Sequence, residues 1–469
     1  MYKFEGKQVV ILGLARQGVA LARFLAQSGA RVTVSDLNDK AALVDEMSAL
    51  QDLSIRYVLG EHPLSLLDGT DLLCLSGGVP IDIPIVADAR EREIPLSNDA
   101  QIFLECCPVP VIGITGSAGK TTTTALTGEM CRAAGFRTWV GGNIGNPLIT
   151  DLDEIKPGDR VVMELSSFQL ELMTVSPHIA AVLNITPNHL DRHGTMEAYI
   201  AAKRNIVAHQ GTDDFAILGY DDANARALAL DTAAQLYWFS GGAEVERGAF
   251  RTNGTLTLRM GPIPSASQEV RDRTICYASD VQLLGRHNLL NVLAASTLAG
   301  VAGVPIEAMR EAATTFTGVE HRLELVQESG GVRWYDDSIA TAPERSLAAL
   351  HSFEEPIILL AGGRDKKLPW GEFATEATQR VRHLVTFGEA GPMIARVVEK
   401  AQRNGGTGKQ GSRLERITQV ETLEEAVEAA ARLAQSGDVV LLSPGGTSFD
   451  AFRDFAERGD RFKALVKAL

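Results

Sequence analysis

What this chain lacks narrows what it can be. Its 469 residues include five cysteines, Cys74, Cys106, Cys107, Cys131 and Cys276. That number is odd, no CxxC spacing occurs, and adjacent Cys106 and Cys107 are poor metal ligands as a pair. Buried, reduced thiols of a cytosolic protein are the expectation, rather than a disulfide framework or a zinc site. A basic stripe is missing too: the formal net charge is −14. This argues against nucleic acid as a partner. Phosphorylated small molecules stay open, because loops and helix ends bind anions even on an acidic protein. No apolar run approaches the length of a membrane span, and the segment Met1 to Lys7 has no signal core. A cytoplasmic protein without membrane insertion is expected. There is no short-period repeat and no long disordered tract; residues 403–413 read as an exposed loop.

What is present fits a soluble globular chain of two to four domains, with 45% hydrophobic and 22% charged residues. The most informative segment is Gly113-Ile114-Thr115-Gly116-Ser117-Ala118-Gly119-Lys120-Thr121. It follows Pro108 to Ile112, which reads as a buried parallel strand, and precedes a helix expected over Thr122 to Ala133. A glycine turn between strand and helix lets backbone N–H groups wrap a phosphate. Lys120 can then reach the outer phosphates and the Thr121 hydroxyl can ligate Mg²⁺. Strict GxxxxGK[ST] places glycine at 114, where this chain has Ile114.

Three blocks follow one another. The first opens with a strand at Gln8 to Leu12, the turn Gly13 to Gly18 and a second strand ending at Asp36. This is a dinucleotide-binding βαβ pattern whose middle glycine is Ala15. It fits either a nucleotide-shaped ligand or a turn that holds none. A further strand at Leu72 to Leu75 runs into Ser76-Gly77-Gly78, a second place for a phosphate. The middle block carries the glycine loop, strands at Arg160 to Met163, Ile179 to Asn184 and Phe215 to Leu218, and a helix at Met196 to His209. Residues 232–282 read as a small antiparallel insertion. The third block alternates strand and helix from Val332 to Leu442, which implies another doubly wound sheet. The expectation is an α/β chain with Rossmann-like first and third domains around a P-loop ATPase-like parallel sheet, divided at 1–97, 98–316 and 317–469.

Polar residues cluster just past strand ends, where α/β proteins build sites. Glu164 follows a strand; a magnesium-holding carboxylate and a helix-start acid both fit it. His189 alone reads as a loop histidine and Lys203 alone as a solvated helix lysine.

Taken together, these segments resemble the Mur ligase family, ATP-dependent amide-forming enzymes of peptidoglycan precursor synthesis. The resemblance rests on Gly113 to Thr124, Gly142 to Gly145, Glu164 to Leu170, Asn184 to His193, Ala201-Ala202-Lys203, Gly285 to Asn291 and His321-Arg322. Leu360 to Lys366 and Leu442 to Phe455 point to the branch that adds glutamate to UDP-N-acetylmuramoyl-L-alanine through an acyl phosphate. The resemblance implies that Gly116, Ser117, Ala118, Gly119, Lys120, Thr121 and Thr122 serve the ATP phosphates. Thr121, Glu164, His189 and a carbamylated Lys203 would hold Mg²⁺. His287, Asn288 and Asn291 would lie by the nucleotide, and Arg322 and Asp337 would bring the third domain to ATP. Asn143 and Ser166 would contact the muramoyl-alanine part, with Gly78 at the pyrophosphate and Asp36 near the uracil. Thr341, Lys366, Ser448 and Phe455 would surround glutamate.

A monomer is expected, with these substrates as its partners. Alternatives are an L-glutamate-adding variant, a sister or folate polyglutamate-type ligase, and a non-catalytic nucleotide-binding regulator. The presence of Lys120, Glu164 and Lys203 speaks against the last. One departure stands out. The glutamate ligases usually carry lysine in Asp-Ser-Lys-Ala-Thr, and this chain has Ile339, so a basic contact is missing or comes from elsewhere, such as Arg345, Arg364 or Lys367.

Overall fold

Three parallel-dominated sheets succeed one another along the chain. The computed structural model describes residues 4–145, 147–261, 271–283, 285–366, 368–404 and 412–469. Most of the loop expected at 403–413, and Lys367, lie outside the described residues. By contact density the chain divides into two compact units, Met1–Gln282 with Arg286–Phe316, and Leu283–Gly285 with Thr317–Leu469.

The first unit holds two sheets. One comprises β1 (Gln8–Leu12), β2 (Arg31–Asp36), β3 (Arg56–Leu59), β4 (Leu72–Leu75) and β5 (Leu96–Ser97), all parallel, in the order β3-β2-β1-β4-β5. Val9, Ile11 and Cys74 pack one face of it, and Val10, Leu12 and Leu73 the other. Near-continuous apolar strands are what burial on both faces demands.

The other sheet comprises β6 (Val111–Thr115), β7 (Thr138–Gly142), β8 (Arg160–Glu164), β9 (Ile179–Val182), β10 (Phe215–Gly219), β11 (Gln235–Ser240), β12 (Gly248–Thr252), β13 (Thr255–Met260) and β14 (Arg271–Tyr277). Its order is β14-β13-β12-β11-β10-β9-β6-β8-β7. The segment expected as a small antiparallel insertion continues this sheet. β11 and β12 add to it in parallel, and only the β12–β13 and β13–β14 pairings are antiparallel.

The glycine-loop strand also differs from expectation. It begins at Val111 and runs through Thr115. Pro108 and Pro110 have no N–H for the ladder, so pairing starts after them. Gly113 thus lies in the strand, where a Cβ would strike the Pro177 side chain. It is a packing glycine, and the phosphate-type loop proper is Gly116 to Gly119. The helix begins at Lys120 rather than Thr122.

In the second unit the sheet is β15 (Glu324–Ser329), β16 (Val332–Asp336), β17 (Ile357–Gly362), β18 (Val381–Phe387), β19 (Arg416–Gln419) and β20 (Val439–Gly445), ordered β15-β16-β20-β17-β18-β19. β15 is an antiparallel edge and every other pairing is parallel. All five cysteines are free thiols; Cys74, Cys131 and Cys276 are buried, but Cys106 and Cys107 are only half-buried. Among the described residues no helix is long and apolar enough to cross a membrane.

Candidate active site

In the first unit, β6 delivers the chain to the loop Gly116 to Gly119, and the helix Lys120–Ala133 carries it away. Gly119 takes the left-handed conformation (φ 83°), which glycine adopts without steric cost. The loop is braced by Asn184: its Oδ1 accepts from Ala118 N at 2.9 Å, and its backbone carbonyl from Ser117 N at 2.9 Å. The Ser117 hydroxyl donates to the Thr186 carbonyl at 2.9 Å. A Cβ on Gly119 would collide with the Asn291 side chain. The helix Arg286–Val301, with Asn288 hydrogen-bonded to Asn291 at 2.8 Å and His287 in the same first turn, thus abuts the loop. Thr122 is buried in the first turn of the helix Lys120–Ala133.

Beside this loop, β8 ends at Glu164, opposite Ile114 in the ladder. The Glu164 carboxylate is 2% exposed, so its partners matter. Thr121 Oγ1 donates to one oxygen at 2.8 Å and Asn143 Nδ2 to the other at 2.9 Å. Glu164 is therefore the buried end of a strand, not a helix-start acid. Hydroxyl and carboxylate oxygens side by side are the hard donors that Mg²⁺ prefers, so these residues fit that ion.

Lys203 departs most from its residue-level expectation. The helix Met196–Ala208 turns it inward, where it is 1% exposed. Its Nζ donates to the Gly116 carbonyl at 2.9 Å and to Thr115 Oγ1 at 3.3 Å. Burial, and then the nearby Lys120 charge, push its pKa well below the ordinary lysine value, with Glu164 opposing them. Lys120 Nζ folds back onto the Gly116 carbonyl at 2.9 Å. Tyr199 was not anticipated: its hydroxyl lies 3.0 Å from Ser117 Oγ, and its ring lies 4.8 Å from Lys203 Nζ. The i, i+4 spacing of Tyr199 and Lys203 is the sequence signal that they share a helix face.

Ser166 caps the short helix Ser167–Leu170 in a reciprocal capping box with Gln169. Phe168 stacks on His193 at 5.3 Å and meets the His189 ring at 5.2 Å. Arg192, also unanticipated, lies over Phe168 at 4.9 Å and donates to the carbonyls of Gly78 at 3.2 Å and Val79 at 2.7 Å. It thereby ties the turn after β4 to the central sheet. Asp36 accepts from Leu14 N at 2.7 Å and Asn38 N at 2.8 Å, bracing the turn after β1.

The remaining candidates belong to the second unit. Asp337, just past β16, is buried; Ser443 Oγ donates to it at 2.8 Å and Leu323 N at 3.3 Å. Burial raises its pKa to about 7. Arg322 is half-buried in the segment before β15. Lys366 Nζ donates to Thr341 Oγ1 at 3.4 Å. Ser448 is buried after β20, and the Phe455 carbonyl accepts from Ser338 Oγ at 2.8 Å. Arg364 is engaged by Glu389 at 2.8 and 2.9 Å. Among the described residues His321, Glu324 and Asp336 also converge, but as an ion-pair knot. His321 Nδ1 lies 2.7 Å from Asp336, and Lys463 lies 3.4 Å from Glu324.

Comparison with known proteins places these features. Residues 7–98 match a Mur ligase MurD-like N-terminal domain, 114–299 a Mur ligase middle domain and 321–446 a Mur ligase glutamate ligase domain. The UDP-N-acetylmuramoylalanine–D-glutamate ligase of Acetivibrio thermocellus is 41% identical over 468 residues, covering 100% of this chain and 97% of that protein. That of Symbiobacterium thermophilum is 42% identical over 465 residues, covering 99% and 98%. Among solved structures, MurF from Acinetobacter baumannii superposes with a TM-score of 0.56 at 18% identity, covering 98% of this chain and 93% of that one. The UDP-N-acetylmuramate-alanine ligase MurC from Thermotoga maritima gives 0.55 at 20% identity, covering 98% and 99%. These two likenesses concern the fold.

Proposed function

The chain belongs to the Mur ligase family, and from that premise we propose that it joins D-glutamate to UDP-N-acetylmuramoyl-L-alanine. It is an ATP-dependent, amide-forming ligase whose product enters peptidoglycan precursor synthesis. The observation that carries this reading is the buried Glu164 carboxylate, held at 2.8 Å by Thr121 at the mouth of a phosphate-type loop.

A carboxylate is a poor electrophile at neutral pH. Transfer of the ATP γ-phosphoryl group to it gives an acyl phosphate with a good leaving group, which the glutamate amine displaces. Phosphoryl transfer depends chiefly on positioning and charge neutralisation. In this reading Gly116, Ser117 and Ala118 shape the loop around the phosphates, the N–H groups of Gly119 to Thr122 at the helix start and the Lys120 ammonium bind them, and His287, Asn288 and Asn291 flank the nucleotide. Thr121, Glu164 and His189 hold Mg²⁺, which neutralises phosphate charge when bound. Lys203 acts as a carbamate: its depressed pKa favours the neutral amine, whose nitrogen bonds to the carbon of CO₂ and releases one proton. The result is an oxygen ligand where an ammonium would repel the metal. Asn143 and Ser166 contact the muramoyl-alanine part, Asp36 and Gly78 the UDP part, and Thr341, Lys366, Ser448 and Phe455 the incoming glutamate. A cytoplasmic monomer completes the reading.

The test is phosphate release with ATP, Mg²⁺, UDP-N-acetylmuramoyl-L-alanine and a panel of amino acids. D-Glutamate should give the fastest release. Faster release with L-glutamate, or with a different amino acid, would overturn the substrate assignment.

A further inference from the structure

In the second unit, the segment from Asp337 to Thr341 leads from β16 into the helix Pro343–Leu350. It is stitched on both sides: Ile339 N donates to the His321 carbonyl at 3.1 Å, and Gly445 N donates to the Ala340 carbonyl at 2.8 Å. An aliphatic side chain at 339 adds no charge here. Arg345, in the first turn of the helix, folds back so that Nη1 donates to the Ile339 carbonyl at 3.3 Å. A guanidinium is thus fastened to the backbone of the residue that itself offers only packing.

Two further cations share this corner. Lys366 follows β17 and touches Thr341. Partial desolvation, and then the charges of Arg345 and Arg458, lower its pKa, so the three groups lie within electrostatic reach. Arg458 is wholly buried and spends its donors on neutral acceptors, Ser338 Oγ and O at 2.9 Å and the Gly446 carbonyl at 3.2 Å. Among the described residues none of the three forms an ion pair, in contrast to neighbouring Arg364, which Glu389 neutralises. Glu344 lies within reach of Lys366, and Asp450 and Asp336 within reach of Arg458, but none of these carboxylates closes an ion pair with them. Three neighbouring cations without a direct salt bridge favour an anion that joins them. One buried and two exposed cations, one of the exposed pair touching the Thr341 hydroxyl, suit a small carboxylate rather than a polyanion.

We infer that Arg345 is a substrate-binding cation of this enzyme, holding with Lys366 and Thr341 a carboxylate of the incoming dicarboxylic amino acid. This deepens the proposed function and rests on it. Arg364 is excluded from the role by its own partner, and Ile339 by its chemistry. Arg345 keeps its guanidinium exposed for a ligand while its tether to Ile339 limits the entropy lost on binding.

The experiment is steady-state phosphate release by the full-length enzyme, varying each substrate in turn. Arg345→Ala should raise the glutamate KM about 10- to 100-fold, the loss expected for one charge-assisted contact. The KM values for ATP and for the UDP substrate should stay within about twofold and kcat within a few-fold. Arg345→Gln keeps a donor for the Ile339 carbonyl without the charge, and should fall with the alanine variant. Arg345→Lys should retain most of the affinity. Ile339→Lys in the Arg345→Ala background should restore it by returning a cation to the same corner. An unmoved glutamate KM in Arg345→Ala, or a glutamine variant equal to wild type, would overturn the inference. Wild-type enzyme that releases no phosphate with either glutamate enantiomer would instead remove the functional reading itself.

Discussion

Lys120 and Lys203 converge on one oxygen: each ammonium donates to the Gly116 carbonyl at 2.9 Å. Two cations at a single neutral acceptor, one of them buried, is an arrangement that favours loss of a proton. The pKa of Lys203 is depressed accordingly, burial first and the Lys120 charge second. A neutral amine is also the form that reacts with CO₂. Lys203→Met, which keeps the buried stem, should therefore cut turnover by roughly 10²-fold or more while leaving thermal stability close to wild type. Short carboxylic acids should restore part of the activity. Wild-type enzyme in isotope-labelled bicarbonate should show a carbamate resonance in its NMR spectrum that the variant lacks. Full activity in Lys203→Met would make it a packing residue only.

Glu164 sits between Thr121 and Asn143. Glu164→Gln preserves shape and an oxygen for the Thr121 hydroxyl but removes the charge. The expected result is a magnesium requirement for phosphate release shifted upward by about tenfold or more, with kcat reduced. A magnesium titration superimposable on wild type would show that the carboxylate only braces the loop.

Arg192 donates to the carbonyls of Gly78 and Val79 and lies over Phe168. Replacing it by alanine removes two charge-assisted hydrogen bonds to the turn proposed to receive the UDP substrate. Calorimetry should show that affinity for this substrate falls about tenfold, while the affinity for a non-hydrolysable ATP analogue is unchanged. Equal losses for both ligands would indicate general unfolding of the site instead.

The pH dependence of Asp337 has a definite sign. Burial raises its pKa to about 7, so the folded state favours the protonated carboxyl. Below the ordinary carboxylate range both folded and unfolded forms are protonated, and nothing is lost. Between that range and pH 7 the unfolded chain ionises alone, and stability falls as pH rises, by an amount on the order of 4 kcal/mol at most. Asp337→Asn removes this penalty. Its melting temperature relative to wild type should therefore be more favourable at pH 8 than at pH 5. An equal difference at both pH values would refute the assignment.

The glycine loop, a strand before it and Glu164 at the end of β8 were legible because each is written in contiguous residues. The departure at Ile114 became intelligible only with Gly113 in place. The strand runs to Thr115, so Gly113 serves packing against Pro177. The continuity of β11 and β12 with the central sheet was not legible. Alternation reports one buried face, not the neighbour that a strand will choose.

Local patterns by themselves determined that this is an α/β chain with a phosphate-type loop, and which short segments carry its chemistry. A strand, a glycine turn and a helix start each depend on neighbours in sequence. Tertiary structure alone decided that Lys203 is buried against Gly116, that the Tyr199 hydroxyl meets Ser117, that Arg192 grips Gly78, and that Arg345 stands at the charge-free Ile339. The contacts of Lys203 with Gly116, of Tyr199 with Ser117 and of Arg192 with Gly78 join groups far apart in sequence. Even the Arg345 tether gains its meaning from Lys366 and Arg458, which the loop after β17 and the helix Phe455–Lys467 bring to the same corner. Charge and burial act through space, so a lysine that reads as solvated becomes a depressed amine only when the fold removes water from around it.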